Sequence, residues 1–344
     1  MGWYSIDAVD AAIKRTKKAL IEPFDFWKWI KLGIIIFFIG STGFPNFNFP
    51  GSYNQPYDDK KIEGASNEEM IKEINLFWDR YKTYIMIGIA AIVFFIILFV
   101  LLSSIMEFVL IESLVTNKVT IRANFRKYLR SGFNLFIIQL ILLMAFLSLF
   151  ILAMMPILQK FLESPANITP GMILMGILWF FVVIMILAFV SGIIYSFIGL
   201  SIPLAMYQKM GITAALKEIW AKFKMDWQQI LVYWVVRIVL GLVVGIALGI
   251  AALILFIIIL IPIVVCGVII YLIVSGLGID NPLSWIFIIP YSLFTALILI
   301  TFLLMVSVPG TVFMKYHQLT FLKTWYPEIN IQFFDAIDNV GSDY

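Results

Sequence analysis

Cysteine and histidine are almost missing from this chain: 344 residues contain one of each, Cys266 and His317. One cysteine excludes an intramolecular disulfide, and the pair together cannot build a His/Cys metal cluster. Charge is also scarce, at 13% of positions, and no acidic cluster with ligand spacing stands out for an all-carboxylate site. No nucleophile stands at a recognisable spacing from a base, so no enzyme activity and no cofactor is expected. No phosphate-binding glycine loop occurs, and basic segments lie beside apolar runs, which points to lipid headgroups rather than nucleic acid. The first 20 residues carry Asp7, Asp10, Lys14, Arg15, Lys17 and Lys18 without a continuous apolar core, so a cleavable signal peptide is not expected.

What fills the chain instead is apolar: 62% hydrophobic residues and a mean hydropathy of +1.01. A water-soluble fold cannot bury that share, so the expected fold class is an all-α, polytopic transmembrane bundle. Runs long enough to cross about 30 Å of hydrocarbon cover roughly 28 to 44, 82 to 111, 134 to 156, 171 to 206, 229 to 275 and 285 to 312. The first is short and includes Lys31, so Lys28 and Lys31 must snorkel and Trp27 and Trp29 must lie in the interface. The fifth is either one long span with a re-entrant half-helix after Pro262, or two spans.

Charge favours six crossings. Residues 14 to 31 hold six Lys/Arg against two acids, 112 to 134 five against one, and 207 to 228 four against two. These read as cytoplasmic, whereas 44 to 82, with seven acids and five bases, reads as outside. Both termini are then expected in the cytoplasm of a cell-membrane protein, with about 259 to 275 as an embedded insertion. An internal repeat has the same parity. Ser201-Ile202-Pro203-x-x-x-Tyr207-x-Lys209 recurs as Ser307-Val308-Pro309-x-x-x-Phe313-x-Lys315. Three parallel two-helix units result, about 6 to 118, 119 to 209 and 210 to 315, each with an Asx residue (Asp25, Asn134, Asp226) placed to cap a span. In the first, Glu112 replaces the proline and Thr116 the aromatic. Residues 1 to 315 then form one membrane domain and 316 to 344 a cytoplasmic tail.

Several segments are candidates for function. In the first helix Ile6, Val9, Ile13 and Leu20 fall near one face, and Lys14, Arg15, Lys17 and Lys18 near another, a spacing suited to an anionic leaflet. Arg122, Arg126, Lys127 and Arg130 repeat the pattern, and a similar helix is expected over 212 to 224; ordinary topology-fixing connectors would look alike. Ser66-Asn67-Glu68-Glu69 resembles a capping box ahead of a helix that projects from the bilayer, with Phe44, Phe47, Phe49, Tyr53 and Tyr57 available to cover it. Gly241, Gly245 and Gly249 form overlapping GxxxG steps for close packing within the chain or with another copy. Arg237, about three turns inside its span, requires a partner or a cavity. Glu107 is the expected partner and Gln139 the other nearby polar group. His317 reads as an interfacial residue, and Asn167-Ile168-Thr169 is a weak glycosylation sequon.

The Asp-Ala-Val-Asp-Ala-Ala-Ile opening (7 to 13), the Glu-Pro-Phe-Asp-Phe-Trp-Lys-Trp entrance (22 to 29) and the closing Phe-Met-Lys-Tyr-His-Gln-Leu (313 to 319) resemble a family of uncharacterised archaeal integral membrane proteins. That family is distantly similar to the membrane domain preceding some bacterial glycerophosphodiester phosphodiesterases. The resemblance implies a six-helix membrane domain in a prokaryotic cytoplasmic membrane. It does not bring the phosphodiesterase activity, which belongs to a separate soluble domain. The functional expectation is a non-enzymatic scaffold or subunit of a membrane complex, alternatively a transporter or channel for an ion or amphiphile. Anionic membrane lipids, and a homo-oligomer or complex, are the expected partners.

Overall fold

The computed structural model describes residues 2–40, 67–163, 169–278 and 281–335. Among them the architecture is helical throughout, without strands. A short α1 (Tyr4–Leu20) precedes α2 (Phe26–Gly40) and the long α3 (Asn67–Thr116), α4 (Ile121–Glu163) and α5 (Pro170–Tyr207). A second short helix, α6 (Ile212–Met225), leads to α7 (Trp227–Leu277), a 3₁₀ turn at Pro282–Ser284, and α8 (Trp285–Trp325). Five helices, α3, α4, α5, α7 and α8, are long and apolar enough to cross a membrane. The sixth expected crossing falls on α2, whose 15 described residues reach only about 22 Å at 1.5 Å per residue.

Helix length is the main departure from expectation. The 51 residues of α7 run unbroken through Pro262, so the re-entrant half-helix expected at 259 to 275 does not form. In a stretch this uniformly apolar no loop residue interrupts the ladder, and one proline costs a single backbone hydrogen bond. Residues 119 to 130 do not form a separate helix either. They are the first turns of α4, and Asn134 lies inside that helix rather than capping it. Only Asp25 caps as expected, its Oδ1 accepting from the Lys28 N–H at 3.1 Å. Asp226 lies between α6 and α7, but its carboxylate accepts from Trp325 Nε1 at 3.2 Å instead. The helix foreseen from Asn67 does run without a break into the apolar segment. Ser66, the aromatic loop proposed to cover that helix, and Asn167 lie outside the described residues.

Burial is concentrated at one end, here called the base. The C-terminal turns of α3, α5 and α8, the N-terminal turns of α4 and α7, and the short helices α1 and α6 share one core. Both described termini lie there, as do the positions around Lys118, Lys209 and Lys315. Glycine permits the closest approach: a Cβ on Gly132 of α4 would lie 2.8 Å from the Ile105 Cα of α3. The α1 helix packs its small face, Ser5, Ala8, Ala12 and Ala19, inward, leaving Ile6 and Ile13 about half exposed. The face expected to lie on a leaflet is therefore an edge beside the packed one. The boundary expected at residue 315 falls inside α8, which continues to Trp325. Tyr326, Ile329, Ile331 and Phe333 then fold back into the core, so the segment up to Phe333 is part of the domain rather than a free tail.

Candidate functional site

The densest polar arrangement is carried by successive residues of α8 within the base. Lys315, Tyr316, His317 and Gln318 cover a full helical turn, so their side chains spread around the helix and between them reach α1, α3, α5 and α7. Lys315 Nζ donates to Glu107 Oε2 of α3 at 2.6 Å, with side chains only 11% and 19% exposed. Tyr316 donates its hydroxyl to the Leu114 carbonyl, also on α3, at 2.8 Å. His317 is fully buried and reaches Ser5 of α1, while Gln318 Oε1 accepts from Arg237 Nη1 of α7 at 3.4 Å. A Cβ on Gly199 of α5 would lie 3.0 Å from Gln318 Nε2, so that glycine gives the amide its place.

One turn further, Thr320 Oγ1 accepts from Arg15 Nη1 at 2.7 Å. Arg15 also donates through Nε to Asp335 Oδ2 at 2.9 Å, and its guanidinium lies 3.8 Å from the Phe333 ring centroid. At the lower margin Tyr326 donates its hydroxyl to Glu218 Oε2 at 2.7 Å. That bond to a carboxylate, reinforced by burial, pushes the Tyr326 phenol up to about 12.

The expected partnership between Arg237 and Glu107 does not form. Glu107 belongs to Lys315, while Arg237 donates to the Tyr233 hydroxyl and to Gln318. The Glu107 carboxylate is served by a lysine that helix geometry brings from 208 positions away, which depth along the sequence could not indicate. Gln139 joins neither group; its Oε1 accepts from Ser104 Oγ at 2.6 Å. Among the described residues Arg237 forms no ion pair. Gly241, Gly245 and Gly249 are exposed, and a Cβ on any of them would meet nothing within 4 Å, so the glycine ridge packs on no helix among the described residues. The approach of α7 to α8 uses Gly310, whose Cβ would lie 2.6 Å from Leu248 Cδ1. Of the residues expected on a lipid surface, Lys14, Lys17, Lys18, Arg122, Arg126, Lys127 and Arg130 are exposed. Arg15 is turned inward instead, because Asp335 and Thr320 satisfy its donors.

His317, expected at the interface, is the centre of this arrangement. Its Nε2 lies 2.9 Å from the Ser5 carbonyl oxygen and 3.4 Å from Ser5 Oγ. A carbonyl only accepts, so Nε2 carries the proton and cannot draw one from the serine hydroxyl. Nδ1 is buried without a partner among the described residues, and no carboxylate orients it. The pair is therefore not arranged as a serine nucleophile and its base. The ring stacks on Tyr233 at 5.9 Å and 3°. Among the described residues no three His, Cys, Asp or Glu side chains converge to hold a metal. An apolar groove of about 530 Å³ between α7 and α8, with Leu248, Leu255 and Phe302 in its wall, leads to none of these polar groups. The sequence carried one local signal for the site: Lys315, His317 and Gln318 form a polar group just beyond the end of the last apolar run.

The family described as "Family of unknown function (DUF7544)" matches residues 3–331, and the chain belongs to it. No curated protein and no solved structure matches the chain.

Proposed function

For a member of DUF7544, a family to which no activity is assigned, we propose the role of a non-enzymatic scaffold or subunit of a membrane complex. The observation that supports it is the closure of the interior polar groups on one another: Lys315 with Glu107, Gln139 with Ser104, His317 with Ser5, Gln318 with Arg237. Each bond ties two helices, as structural staples do, and none of these groups lines the apolar groove between α7 and α8. In this reading the base lies at the cytoplasmic side of a cell membrane with both termini inside, and α2 supplies the sixth crossing. The three parallel units are α1–α3, α4–α5 and α6–α8. Backbone geometry supports the first two boundaries, because a left-handed residue follows each helix end within two positions, Asn117 after α3 and Lys209 after α5. The distant likeness to phosphodiesterase membrane domains, and an archaeal source, fit the same role. Anionic lipids are the expected surroundings, and the open glycine face of α7 is where a partner helix would seat.

One observation favours a transporter as second reading: Arg237 is a cation without an ion pair among the described residues, three turns into an apolar helix. A single comparison separates the two. Purified protein in proteoliposomes should pass no ion above the level of empty vesicles, and in native membranes it should migrate as an assembly larger than its 39.3 kDa chain. A flux that Arg237→Leu abolishes without unfolding the protein would replace the scaffold by the transporter.

A further inference from the structure

At the outer edge of the base, the lipid-side face of α2 and the first turn of α4 enclose a depression of about 560 Å³ whose charged lining is solely basic: Lys31, Arg122 and Arg126. None of the three takes part in an ion pair or side-chain hydrogen bond among the described residues. Several neighbouring cations do, although Lys118 and Arg130 do not. Lys127 pairs with Glu112 at 2.7 Å, Arg15 with Asp335, and Lys28 donates to Asn117 Oδ1 and the Ala19 carbonyl. Arg122 and Arg126 stand at i, i+4 on one helix, a spacing at which like charges repel. The wall between them contains Ile121 and Ala123, residues of the first turn of α4, whose backbone N–H groups have no acceptor within the helix. Trp27, one turn before Lys31 on the same exposed face, is 68% exposed, as an interfacial aromatic is.

From this juxtaposition we infer a binding site for the phosphate of an anionic phospholipid headgroup, held by Lys31, Arg122 and Arg126 against the start of α4. Two guanidinium groups offer the fork geometry that suits phosphate oxygens. A lysine rising from the apolar side supplies the charge nearest the acyl region. The inference rests on the reading that the base meets a leaflet. It holds for either a scaffold or a transporter.

The test uses the full chain in nanodiscs of neutral phosphatidylcholine, with phosphatidylglycerol added stepwise and the unfolding temperature recorded, since a ligand of the native state raises it. Phosphatidylglycerol should stabilise the natural protein. In K31Q/R122Q/R126Q its apparent affinity should fall at least about tenfold, the effect of losing one hydrogen bond between charged groups. The control R80Q/K82Q/K160Q removes as many exposed charges at the opposite end of the bundle and should respond like the natural protein. An equal loss in both variants would overturn the site in favour of diffuse surface attraction. Millimolar inorganic phosphate giving the same shift in neutral nanodiscs would keep the phosphate chemistry and overturn the lipid as its source. Should the triple variant not fold, native mass spectrometry of the unmodified protein decides. One phosphatidylglycerol retained in preference to phosphatidylcholine supports the site, and indifferent retention overturns it. Because binding is read on the isolated chain, its failure is distinct from failure of the assembly or flux experiments.

Discussion

The base of this bundle and its distal half are built from the same helices, yet among the described residues burial is concentrated at the base. On α7, Ile230 and Tyr233 are fully buried, whereas Leu242, Ile246, Leu253 and Ile261 on later turns are each about 60% exposed. In water such a surface would collapse; in lipid, apolar side chains lose little by facing hydrocarbon. Cohesion must then come from small residues, hydrogen bonds and ion pairs, and these are gathered at the base, where α1, α6 and residues 326–333 close over the helix ends. Elaborate packing marks where the chain has to hold itself together. The distal half is left for lipid or other helices to cover.

The contrast can be broken by matched substitutions. The largest effect is expected from Tyr233→Ala, which removes a buried ring stacked at 4.4 Å on Phe321 and the hydroxyl that serves Arg237. A loss of about 4 kcal/mol should appear in unfolding by denaturant in lipid-like detergent. Leu253→Ala on the distal part of the same helix should cost under about 1 kcal/mol. Equal losses would mean that the distal half is packed as well. Gly132→Leu comes next, at about 3 kcal/mol, because the added atoms meet the backbone of Ile105 rather than a movable side-chain end. Gly241→Leu, with open space around it, should leave the melting temperature of the monomer unchanged while reducing any helix-mediated assembly.

The ion pair at the base sharpens the comparison further. Glu107→Leu or Lys315→Leu alone should destabilise by about 2 kcal/mol, below the range for fully buried pairs because both side chains retain some exposure. The double variant should recover part of the loss, whereas Glu107→Leu with Arg237→Leu should be simply additive. Coupling between Glu107 and Arg237 would contradict the pairing seen here. The smallest loss expected at the base belongs to Tyr326→Phe, about 1 kcal/mol for one hydrogen bond. Its phenol is held up to about 12 by Glu218, so the bond contributes fully below the ordinary tyrosine value and is lost only as pH rises through that range. Across neutral pH the variant should therefore differ from the natural protein by a constant amount.

Much of the fold could be read along the chain, and the site only in fragments. Apolar runs located every long helix, since 20 or more such residues have no soluble use. The uninterrupted α3 from Asn67 followed from helical spacing and the absence of Gly and Pro before Gly88. Glycine spacing alone did not name the neighbour: the regular 241, 245, 249 ridge is open among the described residues, and isolated glycines such as Gly132, Gly267 and Gly310 make the close approaches there. A motif records which backbone could be approached, but only the neighbouring helix determines whether it is. Charge depth misled in the same way for Glu107, whose partner Lys315 comes from the far end of the chain.

The sequence by itself determined the apolar surroundings this protein is built for, the places of its long helices and the common end at which Lys118, Lys209 and Lys315 emerge. Those are one-dimensional properties, fixed by hydropathy and by the parity of charged segments. Tertiary structure decided that α7 stays one helix, that Arg15 turns inward, and that His317 is buried against Ser5 rather than lying at an interface. It also decided that Lys31, Arg122 and Arg126 line one depression. Each of these depends on which helix faces which. In a membrane, where apolar surface carries almost no preference among neighbours, that choice rests on a few polar pairs and small residues whose partners lie far away along the chain.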